Sequence, residues 1–354
     1  MFKFKKLPAL LGQTAIILTI SLIFTEVALR IYNKFNPSFV FYDASYNRYR
    51  GKPFADDYDF QLNSRGFKDV EFEVEKAPDT YRILGIGDSF AYGVVPYEHN
   101  YYTRLEEKLN QSNGNFEVIN MGIPNLDPKD YLAILINEGL ELNPDMVVLS
   151  FFIGNDFLNS KSERRSLYTY SYTASFVNFI VQLARKYEGN VIHGKYVYQD
   201  DTKTLEDDAF LAVQQHRSIL FYKDNNGFAD DVETTFDYLQ RIQEICNSRN
   251  IQLVVVLIPD ENQVNPELQA QVVESLGGSL EYYDFDIPNR LLTQKLGQAN
   301  IAYLDLLDLF RTETNNQLLY KPNDTHWNIP GNELAAIEIH RYLREQFFNT
   351  SANH

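Results

Sequence analysis

Apolar positions along the chain gather in short compact runs separated by longer stretches of helical period. The runs Tyr81–Ile86, Glu117–Asn120, Met146–Phe152, Leu253–Ile258 and Ile301–Leu304 are dense in Val, Ile, Leu and Phe. A strand buried on both faces reads as such a run, whereas a half-exposed strand alternates. Between the runs, apolar residues recur at three and four positions over Tyr101–Gln111, Lys129–Glu141, Val232–Arg249, Ile287–Ala299 and Asn332–Phe347, which predicts helices. Buried strands alternating with helices predict a parallel sheet covered on both faces, an α/β domain. The active site of such a sheet lies beyond the carboxyl ends of its strands. Residues that directly follow a run are therefore the ones to inspect for chemistry.

The N-terminus follows a different pattern. Leu7 to Thr25 is free of charge, and as a helix it spans roughly 28 Å, close to the hydrocarbon thickness of a bilayer. Lys3, Lys5 and Lys6 precede it, which favours a cytoplasmic N-terminus and a translocated body. The run ends in Thr25-Glu26-Val27-Ala28 with no small-x-small cleavage site and no Cys for lipidation. Glu26 and Arg30 stand four apart and can pair where the helix leaves the bilayer. We expect a cytoplasmic tip at 1–6, a single transmembrane anchor at 7–28, a linker and packed lead-in at 29–80, and a catalytic domain at 81–348. A cleaved signal peptide and a soluble amphipathic helix remain the alternatives for the first segment. Residues 1–34 hold five basic side chains against Glu26, so the formal charge of −16 on 354 residues understates the body, which is nearer −20. A periplasmic or extracellular body on a cell-membrane anchor fits this division.

The rhythm breaks over about 157–230, an insertion holding Tyr168, Tyr170, Tyr172, an apolar stretch Phe176–Leu183 and the acidic run Asp200–Asp208. A long segment of this kind in a compact domain tends to be a lid or a binding element. It carries part of an aromatic surplus of 24 Tyr and 25 Phe, either as substrate cover or as core. The acidic balance argues against nucleic acid as a partner. The single cysteine, Cys246, excludes an intramolecular disulfide and a paired-cysteine zinc site.

Four strand-end motifs carry candidate chemistry. After the first run stands Gly87-Asp88-Ser89-Phe90, a serine at a strand-to-helix turn whose own N–H faces a developing oxyanion. After the second stands Asn120-Met121-Gly122-Ile123-Pro124, where Gly122 offers an N–H with no Cβ to obstruct it. After the third stands Gly154-Asn155-Asp156, where the Asn155 amide is a further donor. Near the C-terminus stands Asn323-Asp324-Thr325-His326-Trp327-Asn328-Ile329-Pro330-Gly331. A serine nucleophile needs a histidine base, and the base needs a carboxylate to fix its tautomer. Of six histidines, His326 alone has a carboxylate in such a loop. Taken singly, each motif is also an ordinary turn, an Asx-turn or a loop ion pair.

Together and in this order the motifs resemble those of the SGNH/GDSL hydrolase superfamily, matched by Ser89, Gly122, Asn155 and His326 over about residues 62–345. The lead-in Asn63-Ser64-Arg65-Gly66-Phe67 looks like that of its membrane-anchored bacterial members. The resemblance implies a three-layer α/β/α sandwich with a flavodoxin-like sheet and a Ser89–His326–Asp324 triad. It also implies an oxyanion hole from the N–H groups of Ser89 and Gly122 and the Asn155 side chain, with no cofactor and no metal. One departure is visible. The common final block has Asp three residues before His, where this chain has Asn323; its aspartate, Asp324, is two before. The Asp-x-His-Trp spacing resembles instead the triad segment of SGNH-type polysaccharide O-acetyltransferases. Asp305, at the end of the last run, is the fallback acid.

Three functions are open from the sequence. The first is a serine esterase acting on an acyl ester of an extracytoplasmic carbohydrate or lipid. The second is an O-acyltransferase that modifies an exported polysaccharide or envelope glycan, working with polysaccharide-modification machinery. The third is a non-catalytic anchored binding or assembly protein on the same scaffold.

Overall fold

The structure is a computed structural model that describes residues 7–35, 42–43, 48–49, 53–111, 114–158, 171–174, 176–177 and 197–348. Of the aromatic residues expected to cover substrate, Tyr168 and Tyr170 lie outside the described residues, as does the 178–183 part of the apolar stretch.

One helix, α1 (Leu7–Phe35), opens the chain and runs seven residues past the expected end of the anchor. Its Gly12–Tyr32 portion has a mean hydropathy of 1.9 and no fully buried residue, so by length and composition it can cross a membrane. The domain then builds from β1 (Tyr81–Ile86), α2 (Ser89–Tyr92), α3 (Tyr101–Asn110), β2 (Phe116–Asn120), α4 (Pro128–Ile134) and β3 (Met146–Phe152). The second half holds α5 (Asp207–Arg217), α6 (Phe228–Ser248), β4 (Gln252–Ile258), α7 (Glu261–Val264), α8 (Pro266–Ser275), α9 (Ile287–Gln298), β5 (Ala302–Asp305), α10 (Leu307–Glu313) and α11 (Ile329–Leu343). All five apolar runs are strands, and their edges fall within one residue of those expected.

The strands form one parallel sheet in the order β2-β1-β3-β4-β5. Side chains alternate between its faces with period two. Leu84 and Ile86 of β1, Leu149 and Phe151 of β3, and Val255 and Leu257 of β4 pack on one side with α4, α6 and α9. Ile83, Val148, Val254 and Val256 pack on the other with α3, α10 and α11. The result is an α/β/α sandwich. The order turns back on itself at β1, whose neighbours β2 and β3 lead off in opposite directions, and the crevice at such a point binds ligands. The loops after β1, β2 and β3 all open there.

Part of the aromatic surplus is core. Tyr101, Tyr102, Tyr131, Phe67, Phe151, Phe157, Phe221 and Phe310 are fully buried. Tyr101 and Tyr102 both meet Ser150 Oγ, at 2.6 and 2.8 Å, so their hydroxyls are satisfied inside the sandwich. The 157–230 insertion is not loop throughout: it contains α5 and enters α6 at Phe228.

Candidate active site

β1 ends at Ile86, and two residues later the chain turns into α2. Asp88 forces the turn: its carboxylate accepts the N–H of Phe90 at 2.9 Å and caps the helix. Ser89 is the first helical residue, and among the described residues its N–H has no acceptor, as expected in the first turn of a helix. From the far end of the domain, the loop before α11 brings His326 to it. His326 Nε2 lies 2.8 Å from Ser89 Oγ, across 237 positions of sequence. Asn328 caps α11 by accepting the Gly331 N–H, which fixes where the loop ends.

Asp324 completes the line. Its Oδ1 lies 2.6 Å from His326 Nδ1 and also accepts the His326 backbone N–H at 3.1 Å. Burial works to raise the Asp324 pKa. Hydrogen bonding and charge from His326, with a hydrogen bond from Thr204, outweigh it and hold the carboxyl at about 2. Asp324 is therefore ionised, so Nδ1 carries the imidazole proton and Nε2 is left to accept the Ser89 hydroxyl. The two-residue spacing is thus able to orient the histidine. The fallback acid, Asp305, is occupied elsewhere, accepting the Asn289 side chain and the Leu307 N–H. Asn323 donates to Leu205 O and does not meet His326.

The expected oxyanion donors differ in their availability. Asn155 follows β3, and its Nδ2 donates to Asp88 Oδ2 at 3.1 Å. That bond uses one of the two amide hydrogens and leaves the second. Gly122 does not fit the expectation as well: its N–H donates to Asn120 Oδ1 at 2.9 Å and is already engaged. What makes glycine necessary there is close packing, because a Cβ would lie 2.3 Å from the Tyr92 nitrogen.

Residues 218–354 match the model of the SGNH hydrolase-like domain of the acetyltransferase AlgX. Over that stretch the chain is similar to an SGNH hydrolase-like domain. The matched stretch includes Asp324 and His326 and begins after Ser89, Gly122 and Asn155. Hydrolase and O-acyltransferase chemistry are both compatible with it. No curated protein matches the sequence. Among solved structures, an acetyl xylan esterase is 15% identical with a TM-score of 0.45, covering 74% of this chain and 99% of its own. A catalytic mutant of an acetylxylan esterase from Geobacillus stearothermophilus is 12% identical with a TM-score of 0.42, covering 76% and 94%. A lipase/acylhydrolase from Enterococcus faecalis is 15% identical with a TM-score of 0.40, covering 75% and 96%.

Behind Ser89, His326 and Asp324, the domain places charged side chains that the sequence did not mark. Asp69 accepts the Asn120 N–H at 2.7 Å, and Asn120 in turn donates from Nδ2 to Ala91 O on α2. Lys68 donates to Gly93 O and Val95 O and makes a buried ion contact with Asp57 at 2.5 Å. Arg217 of α5 reaches Asp260 at 3.1 Å, its guanidinium 4.9 Å from the Phe152 ring. Gly154 admits this arrangement, since a Cβ there would meet Asp260 Oδ2 at 2.4 Å. Among the described residues, no group of three or more His, Cys, Asp or Glu side chains could hold a metal ion.

Proposed function

We propose that this protein is a membrane-anchored serine esterase that removes an acyl group, acetyl or a close relative, from an exported carbohydrate or lipid. The observation that carries the reading is the unbroken line from Ser89 Oγ through His326 to Asp324, at 2.8 and 2.6 Å. Ser89 Oγ attacks the ester carbonyl carbon as its proton passes to His326 Nε2. Asp324 stabilises the imidazolium. The carbonyl oxygen becomes an oxyanion facing the Ser89 N–H and the second amide hydrogen of Asn155. Collapse expels the alcohol oxygen, which takes the proton from His326 and leaves an acyl-serine. Water then gives its proton to His326 as it attacks the acyl carbon, the carboxylic acid leaves, and Ser89 regains its proton. Three lysines before the helix favour a cytoplasmic N-terminus, with the acidic body on the far side of the membrane.

A second reading has specific support. The domain match is to one named for an acetyltransferase, and in that reading a sugar hydroxyl replaces water in the second half-reaction. Both readings need the acyl-serine. A fluorophosphonate probe should label the full-length protein, and Ser89→Ala should abolish the labelling; no labelling of the wild type refutes both. With an acetyl ester and an oligosaccharide supplied together, free acetate formed regardless of acceptor supports the esterase. Transfer that outruns hydrolysis supports the acyltransferase.

A further inference from the structure

The anchor contains a carboxylate that its solvent does not explain. Glu26 lies within the membrane-spanning portion of α1, about 9 Å from its Tyr32 end. A lone carboxylate at that depth is costly unless it has partners. One partner is Arg30, at 2.8 Å on the next turn. The others come from the insertion. Ser171 Oγ donates to Glu26 Oε2 at 2.8 Å, the Tyr172 N–H to Oε1 at 3.0 Å and the Thr173 N–H to Oε2 at 2.9 Å. The Arg30 guanidinium lies 4.7 Å over the Tyr172 ring. The next described residues of the insertion, Phe176 and Val177, are exposed and apolar, as is the anchor beside them.

Described residues of the same insertion also lie beside the candidate active site. Leu158 stands three residues after Asn155. The Tyr198 ring packs edge-on against Tyr58 at 5.3 Å, and Asp200 accepts the Ile329 N–H at the start of α11. Farther along, the Leu205 N–H donates to Asn323 O, beside Asp324. Twelve residues lie between Leu158 and Ser171, which bounds the distance from that rim to the anchor at about 45 Å.

We infer that the insertion docks on the anchor through Glu26, so that the rim of the active site is held at the bilayer surface and the enzyme takes its ester from a lipid-anchored molecule in the same membrane. The inference rests on the acyl-serine chemistry proposed above. Without the dock, the domain is tied to α1 only through the residues that follow it in sequence. With it, an ester in the surface layer is presented at a raised effective concentration. The basic tip lies across the membrane, and the dock needs no charge on the lipid.

The test uses the full-length chain in vesicles with two substrates, a water-soluble acetyl ester and an acyl ester on a lipid-anchored sugar. Glu26→Ala should lower turnover of the vesicle-borne ester by about a hundredfold and leave the soluble ester unchanged. Equal loss on both substrates, or loss on neither, overturns the inference. A wild type inactive on both defeats the proposed chemistry instead. A second measurement does not depend on turnover. Cys246 is buried, so an Arg30→Cys/Tyr172→Cys pair, at positions whose side chains lie in contact, provides the accessible thiols. A short bis-maleimide should join them in vesicles, and adding Glu26→Ala should abolish the joining. Absence of the cross-link in the parent pair overturns the dock.

Discussion

Lys68→Met tests whether the lead-in holds the nucleophile. The Lys68 side chain is fully buried and its ion contact among the described residues is Asp57, equally buried, at 2.5 Å. Burial pulls the Lys68 ammonium below its ordinary range, and the Asp57 charge opposes that fall. The same ammonium donates to Gly93 O at 2.8 Å and Val95 O at 2.6 Å, at the C-terminal end of the four-residue helix that begins with Ser89. So short a helix has no stability of its own, and its position is set by such contacts. Methionine keeps the length of the side chain and removes the charge. It leaves Asp57 buried without a counter-charge, a loss of about 3–5 kcal/mol. In a domain of this size that lowers Tm by roughly 6–20 °C. A shift of Ser89 by about 1 Å would cost a further factor of about 10² in kcat. Trp327, the only tryptophan, is buried beside His326 and stacked on Phe310, so its fluorescence reports the melt. The control is Lys68→Met with Asp57→Leu, which removes both charges and should recover most of the stability. A single variant within about 1 kcal/mol of wild type, or a double variant no more stable than the single, would refute the reasoning.

Asp324→Asn keeps the volume but takes the charge from His326 Nδ1. We expect kcat to fall by about 10⁴ with the Trp327 melt nearly unchanged, measured on a soluble acetyl ester. Asn155→Ala removes an oxyanion donor and should lower kcat by about 10²–10³ with little change in KM. Gly122→Ala forces a methyl to within 2.3 Å of the Tyr92 nitrogen; a loss of about 1–3 kcal/mol should appear in urea titration. Burial pushes the Asp69 carboxyl up to about 7, above its ordinary value, although the Asn120 and Val70 N–H groups and the Tyr97 hydroxyl donate to it. A raised carboxyl pKa contributes stability that is present at acid pH and lost as pH rises through 7. The urea midpoint should therefore fall between about pH 4 and pH 7, and Asp69→Asn should flatten that slope.

The strands were legible because burial on both faces turns each of them into a compact apolar run, as in Met146–Phe152, where every residue is buried. Helix α6 was legible for a different reason: Val232, Phe236, Leu239, Ile242 and Cys246 recur on one face. Helix α5 and helix α8 were not, since they share only a small satellite core of Phe210, Leu268 and Val272. Two or three apolar positions do not make a period. Ser89, Asn155 and His326 could be read because strand-end position and residue type together limit what a loop can do. Lys68, Asp69 and Arg217 could not. A charged side chain reads as solvent-facing unless its partner is known, and these partners lie far away in sequence: Gly93 for Lys68, Asn120 for Asp69 and Asp260 for Arg217.

The same dependence on distant partners governs the oxyanion hole. Motif order assigned it three donors: the Ser89 N–H has no acceptor among the described residues, Asn155 keeps one amide hydrogen free of Asp88, and the Gly122 N–H is engaged. To free its N–H, Gly122 must leave Asn120 Oδ1, and Asn120 is itself fixed at both ends, through its N–H to Asp69 and through Nδ2 to Ala91 O. Rotating the Asn120 side chain would break the bond to the helix that carries Ser89. The Gly122 donor is therefore coupled to the position of the nucleophile, whereas Asn155 is coupled only to Asp88. In the proposed oxyanion hole, the Ser89 N–H and the second Asn155 amide hydrogen are thus the donors with no such bond to break first.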